Sequence, residues 1–115
     1  MVFHNNDPKQ NTINMKVDLK ANELVVKAGD SKFLNGKDVK GKLIVTNQRI
    51  YFLAKYELDK TYNQEIQPAE IKEVLPFNSF AIIPNGLNVV TKTGDSLKFK
   101  VRNRKSWEQL INKMY

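Results

Sequence analysis

Short β-prone segments separated by turn residues fill most of this sequence, and no other feature constrains its fold as strongly. Between positions 42 and 101, runs rich in β-branched and aromatic residues alternate with polar pairs that favour tight connections. The pairs are Asn47-Gln48, Asn85-Gly86 and Gly94-Asp95. Because such pairs commonly join neighbouring antiparallel strands, they predict three hairpins within one β-meander.

Further runs have the composition or the alternation of strands. Residues 24–28 are apolar and β-branched, and two short runs flank Pro68. Together with the hairpins, these runs predict about seven strands. Eight candidate segments underlie this estimate, residues 24–28, 43–45, 50–53, 64–67, 71–75, 80–83, 87–91 and 97–101, and the alternating residues 13–19 are a further candidate.

The C-terminal residues follow a different period. Apolar side chains recur there at the spacing i, i+3, i+4 and i+7, in Trp107, Leu110, Ile111 and Met114. That spacing places them on one stripe of an amphipathic helix, with Asn103 or Ser106 as its N-cap. The predicted fold class is mainly β: a bent antiparallel partial barrel closed by a C-terminal α-helix. This single domain is expected to span residues 13–115, after a flexible polar tail at residues 1–12.

Residue content argues against several classes of protein. The 115 residues include no cysteine, which removes disulfide frameworks, thiolate metal sites and cysteine nucleophiles. The single histidine, His4, lies in the polar tail, where it cannot be held as a metal ligand or general base. We therefore predict a protein that is not an enzyme and uses no cofactor. No apolar run approaches the roughly 20 residues of a spanning helix, so we expect a cytoplasmic protein, at most peripheral at the membrane.

The formal net charge is +7, and most of it comes from one segment. Residues 92–105 contain six cations and the single acid Asp95, a local excess of +5. Strand alternation between positions 97 and 101 places Lys98 and Lys100 on the face opposite Phe99. The candidate lipid-binding residues here are Lys98, Lys100, Arg102, Arg104 and Lys105. The alternative interpretation is a solvated strand face that discourages aggregation.

A second basic cluster lies between positions 27 and 42. Lysines there surround the apolar pair Phe33-Leu34, a combination suited to a loop tip that enters a bilayer interface. The candidate residues are Lys32, Phe33, Leu34 and Lys37. In the alternative interpretation, Phe33 packs on the core beneath a charged loop. Nucleic acid is not the expected partner, because no compact motif interleaves aromatic and basic residues.

Residues 41–52 read Gly-Lys-Leu-Ile-Val-Thr-Asn-Gln-Arg-Ile-Tyr-Phe and resemble the signature hairpin of GRAM domains, a branch of the pleckstrin-homology-like superfold. The resemblance extends over about residues 23–114 and includes the paired short strands at 66–74, the final hairpin at 87–99 and the closing helix at 104–111. It implies seven antiparallel strands in two nearly orthogonal sheets with a helix at one end. Within the hairpin, we expect Gly41 to permit an unusual backbone conformation and Asn47 to adopt positive φ in the turn. Arg49 either ties down a nearby carbonyl or acid, or contacts a ligand.

Two functions are consistent with these patterns. The first is a non-catalytic module that associates peripherally with anionic membrane lipid through its basic face. The alternative is a protein-interaction or self-association module without lipid binding, which would use an exposed strand edge or the groove beside the final helix. Phosphoinositide-binding pleckstrin-homology domains carry clustered Lys and Arg in the loop joining their first two strands. Here that segment has no arginine and contains Asp30 and Asp38, which dilute its positive charge.

Overall fold

The computed structural model describes residues 17–115, which form seven antiparallel strands and one α-helix. The strands are β1 Val25–Leu34, β2 Asp38–Thr46, β3 Ile50–Ala54, β4 Gln64–Ile66, β5 Ile71–Ser79, β6 Ile83–Thr91 and β7 Ser96–Val101. Two 3-10 segments, Glu57–Tyr62 and Pro68–Glu70, flank β4, and the helix α1 is Arg104–Asn112. The predicted mainly β fold with a C-terminal helix is confirmed. Within the described residues, no helix is both long and apolar enough to cross a membrane.

All seven strands belong to one curled sheet in the order β4-β3-β2-β1-β7-β6-β5. Strand β1 joins the two halves, because it pairs with β2 along most of its length and with β7 at Ser31 to Leu34. The result is a single half-barrel in which β4 and β5 are the edges, and the predicted bent antiparallel partial barrel is confirmed. The curl brings the second half of the chain against its first strand.

The core lies on the concave side of this sheet. Phe33, Phe52 and Phe99, from three different strands, meet there with ring centroids 5.2–5.8 Å apart. Helix α1 packs against β5, β6 and β7 and buries Trp107 and Ile111, while Leu110 and Met114 are partly buried. Alternation along the strands and the helical stripe therefore supply one shared apolar interior.

The helix begins where the sequence predicts, but without the expected side-chain cap. Asn103 occupies the N-cap position with φ of 52°, and its side chain makes no capping hydrogen bond. Ser106 lies inside α1. Backbone geometry alone therefore starts the helix: the Asn103 carbonyl accepts hydrogen bonds from the backbone amides of Ser106 and Trp107.

One predicted hairpin is in the wrong place. Asn85-Gly86 lies inside β6, and the connection between β5 and β6 is made by residues 80–82, with Ser79 opposite Ile83. The glycine serves packing instead of turning, because a Cβ at Gly86 would lie 2.5 Å from three ring atoms of Phe77. The hairpins joining β2 to β3 and β6 to β7 are confirmed.

The N-terminal predictions are partly outside the described residues. The predicted tail at residues 1–12 and positions 13–16 of the candidate strand lie outside the residues that the structure describes. The remaining positions of that candidate, residues 17–20, do not form a strand. The segment between 27 and 42, predicted as a charged loop, is instead the long β1–β2 hairpin with its turn around Gly36. Basic residues assigned to a flexible loop are consequently held in strands.

Candidate functional site

Three lysines lie side by side on the outer face of the sheet. Lys32 of β1 is directly opposite Lys40 of β2 on one side and Lys100 of β7 on the other. Gly86 of β6 continues the row beyond Lys100. Like charges directly opposite each other in a sheet are destabilising, so this row costs folding energy to the extent that nearby anions do not offset it.

The row forms the floor of an open groove of about 890 Å³. Lys42 and Lys55 line one side, and Ile83 and Pro84, at the start of β6, line the other. The cations of this groove, which we call the lysine groove, are Lys32, Lys40, Lys42, Lys55, Lys100 and Arg102.

Two carboxylates offset part of this charge. Asp30 lines the groove, and Asp38 accepts a hydrogen bond from the Lys100 ammonium at 3.0 Å. Six cations minus these two acids leave a local excess of +4. Lys32 and Lys40 are exposed, so their ammonium groups are available to an anionic ligand. The site can therefore hold a multiply charged anion by hydrogen bonds and Coulomb attraction.

The sequence-predicted cations between positions 98 and 105 have four different environments. Lys100 and Arg102 line the groove together with Lys32 of the second predicted cluster. Lys98 is on the same face, with its ammonium 5.8 Å from the centre of the Phe77 ring. Arg104 braces the β5–β6 hairpin by donating to the Phe77 carbonyl at 2.7 Å and to Asn78 Oδ1 at 3.0 Å. Lys105 is exposed on α1, away from the groove lining.

The prediction that Phe33 and Leu34 form a loop tip that enters the bilayer is wrong. Phe33 is 3% exposed and stacks on Phe99 in the core, and Leu34 is half-buried at the end of β1. Lys37 donates to Asp59 at 2.9 Å and lies over the Tyr62 ring, and this hydrogen bond raises the pKa of Lys37. Alternation explains the error, since Phe33 is an inward position of a strand that the sequence suggested was a loop.

Sequence reasoning included Lys40 and Lys42 in the basic cluster between positions 27 and 42 without naming them as binding candidates, and it missed Lys55. Lys40 and Lys42 alternate with buried Val39 and Leu43, so extending β2 backwards from the recognised hairpin would have placed them on the outer face. Lys55 carries no such signal, because it follows β3 and reaches the groove through the β2–β3 pairing.

Arg49 is a structural residue in this arrangement. It is 6% exposed and donates to both carboxylate oxygens of Glu23, at 2.7 and 2.9 Å. These bonds, with a further one from the Thr46 hydroxyl at 2.6 Å, lower the pKa of Glu23 to about 2. The Asn47 side chain accepts from the Leu24 amide and donates to the Asn22 carbonyl, and it is not among the positive-φ residues of the described chain. The motif thus ties the segment before β1 to the hairpin.

Gly41 was expected to permit an unusual backbone conformation, but the structure gives a different reason for a glycine at this position. Its φ is not positive; instead, a Cβ there would collide with the backbone carbonyl of Leu53 and lie 2.5 Å from the buried Phe52 ring. The glycine is required because strands β2 and β3 and the core ring leave no space for a side chain.

No protein-family model matches the chain, and no curated protein matches it. Among solved structures, it is similar to the C-terminal domain of an unknown protein from Leishmania infantum, at 18% identity over 82% of this chain and 86% of that one, with a TM-score of 0.67. It is also similar to the Vps36 N-terminal PH domain, at 14% identity over 84% of each chain, with a TM-score of 0.60. The chain therefore has a pleckstrin-homology-like fold.

Proposed function

We propose that this domain is a non-catalytic module that associates peripherally with anionic membrane lipid through the lysine groove. The observation that carries the proposal is the row Lys40, Lys32 and Lys100, held in register across three strands. An arrangement that opposes folding is explained if an anionic ligand offsets the repulsion. Lipid phosphates at a bilayer surface are ligands of that kind.

The charge available suits weak and reversible membrane attachment. Each cation near an anionic surface contributes about 1 kcal/mol, so the local excess of +4 supplies about 4 kcal/mol. Because the groove is open, this attraction is screened within about 8 Å at physiological ionic strength. We therefore expect binding that depends on lipid charge and falls with added salt.

The sheet edges favour this proposal over strand capture of a protein partner. β4 has three residues and is followed by a 3-10 segment. β5 contains Pro76, and its Val74 amide donates to the Tyr115 hydroxyl at 3.1 Å. Short edges, proline and occupied amides are features that discourage pairing with another strand.

The proposal includes the GRAM branch of the pleckstrin-homology-like fold. Its support is local: residues 41–52 form β2, β3 and their turn as the resemblance implies. The space restriction at Gly41 and the Arg49–Glu23 pair give physical reasons for two residues of the motif.

Vesicle sedimentation tests the proposal directly. The protein would be sedimented with neutral phosphatidylcholine vesicles and with vesicles that also contain phosphatidylserine, each at low and high salt. We expect binding to the anionic vesicles that weakens as salt is added, and no binding to the neutral vesicles. The Lys32→Glu/Lys40→Glu variant should lose it, because both exposed members of the row are reversed.

Lys72→Glu/Lys113→Glu is the matched control, since both lysines are exposed outside the groove and the net charge changes equally. Equal loss in the two variants would show that overall charge, not the groove, is responsible. Absence of charge-dependent binding by the parent protein would refute the lipid function, and the interaction-module alternative would then take its place.

A further inference from the structure

The connection between β5 and β6 carries unusually exposed apolar side chains. Phe80 is 81% exposed and Ile82 is 79% exposed, and Ala81 between them is exposed as well. We call residues 80–82 the apolar tip. Large apolar side chains clustered at a hairpin end, rather than scattered singly, are a feature of interaction surfaces.

The backbone of the apolar tip is strained. Phe80 has φ of 49° and Ala81 has φ of 65°, both in the left-handed region that residues with a side chain disfavour. A turn with two positive φ values is normally built from Asn-Gly, a pair that this chain has only a few residues later and places inside β6. The residues at the tip are therefore not those the turn favours, and strain of this kind is concentrated at functional sites.

The hairpin that presents the tip is firmly held at its base. Arg104 of α1 donates to the Phe77 carbonyl at 2.7 Å and to Asn78 Oδ1 at 3.0 Å. The Phe77 ring lies against Gly86 of the paired strand, and the Lys98 ammonium covers it. A preorganised tip loses little conformational freedom when it binds.

The apolar tip borders the lysine groove. The Lys100 ammonium lies 5.6 Å from the centre of the Phe80 ring, and Ile83 and Pro84, next along the chain, line the groove itself. Apolar side chains next to cations match the two layers of a membrane surface, where acyl chains lie beneath phosphates. Positive charge beside the tip specifies an anionic bilayer as its partner.

We propose that the apolar tip inserts into the acyl-chain boundary of the anionic membrane that the lysine groove binds. This inference rests on the proposed lipid function. It adds a component of binding that salt does not screen, because burial of apolar surface has no charge dependence. Salt should therefore weaken membrane binding by the parent protein without abolishing it, with the remainder due to Phe80 and Ile82.

The test uses the Phe80→Asn/Ile82→Ser variant, in which asparagine tolerates the left-handed backbone and fold is retained. Surface pressure is measured after injection beneath an anionic lipid monolayer packed as densely as a bilayer, together with sedimentation on anionic vesicles at two salt concentrations. We expect the variant to cause no rise in surface pressure. At high salt, its affinity for the anionic vesicles should be lower than that of the parent by about tenfold or more. Leu24→Ser, at an apolar and 69% exposed position immediately before β1, should behave as the parent.

A second variant reports on depth. In Phe80→Trp, the new indole fluorescence should be quenched by lipids brominated along their acyl chains. Trp107 is 3% exposed in the core and contributes only a constant background. If the indole is quenched only by lipids brominated close to the headgroup, the tip lies outside the acyl region and the inference is overturned.

The outcomes separate this inference from the proposed function. If Phe80→Asn/Ile82→Ser and the parent raise the pressure equally, the tip does not insert, while charge-dependent binding through the lysine groove still stands. If the parent binds no anionic vesicle, the proposed function fails and the inference falls with it. If sedimentation equilibrium shows a dimer that the variant abolishes, and no pressure rise occurs, the tip joins two copies of the chain and the inference is overturned.

Discussion

Neutralising the central lysine of the row, by Lys32→Gln, is expected to stabilise the fold and weaken membrane binding at the same time. Lys32 lies directly opposite Lys40 and Lys100, so it takes part in both repulsive pairs. The substitution removes both without altering the backbone or the core. Opposite signs for stability and binding are a signature that a purely structural or purely solvating role would not produce.

The magnitude follows from the geometry. If the ammonium groups spread to about 7 Å apart, Coulomb's law in water gives about 0.6 kcal/mol for each pair. Screening at physiological salt reduces this roughly by half, so removing two pairs stabilises the fold by about 0.5 kcal/mol. For a domain of this size, that raises Tm by about 2–4 °C. Loss of one cation at an anionic surface costs about 1 kcal/mol, which is about a fivefold loss of vesicle binding.

Thermal unfolding at low and high salt, with vesicle sedimentation alongside, measures both quantities. Lys72→Gln is the matched control, because Lys72 is exposed on edge strand β5 and the pairing of β5 with β6 places no lysine opposite it. The control should leave Tm nearly unchanged, and the gain for Lys32→Gln should shrink as salt increases. A Tm for Lys32→Gln that falls, or that matches the control at low salt, would refute the repulsion on which the site assignment depends.

Two further predictions concern the fold that supports the groove. First, the pKa of Glu23 is lowered from 4.5 to about 2, chiefly by its hydrogen bonds from Arg49, so the stability it contributes is complete above about pH 4.5 and is lost as the pH falls from 4.5 towards 2. Glu23→Gln should flatten the acid part of a plot of Tm against pH, and an unchanged slope would contradict this. Second, Gly41→Ala forces a Cβ against the Leu53 carbonyl and the Phe52 ring and should cost about 1–3 kcal/mol or more in chemical denaturation. Gly36→Asn, at a positive φ with no atom near its added Cβ, should be nearly neutral, and equal losses at the two glycines would argue against the crowding described at Gly41.

The elements that sequence reasoning located correctly are those governed by nearest neighbours. The β2–β3 hairpin and helix α1 follow from apolar residues that recur with a period of two or of 3.6 within a short stretch of sequence, and the turn around Gly94 follows from its own residues. Sequence reasoning misplaced a turn where the same pair of residues is compatible with two different structural roles. Asn85-Gly86 has the composition of a turn, but its glycine is required by the ring of Phe77 on the neighbouring strand.

The candidate site likewise has features that the sequence predicted and features that it did not. The outward direction of Lys98 and Lys100 was readable from their alternation with Leu97 and Phe99. The neighbours of Lys100 were not readable, because pairing between the first and last strands brings Lys32 beside it, and the pairing of β2 with β1 adds Lys40 to the row. The apolar tip was hidden for a related reason: placing the turn at Asn85-Gly86 turned Phe80 and Ile82 into positions of a strand.

By itself, the sequence determined the class of fold, the periods of the β2–β3 hairpin, β7 and α1, and the faces on which β7 and α1 carry charge or apolar surface. Only the tertiary structure decided that three lysines share one row, that Phe33 is core and that Phe80 and Ile82 are exposed. The physical reason is range: alternation and helical period are consequences of local backbone geometry, whereas register between distant strands depends on how the whole sheet curls around its core.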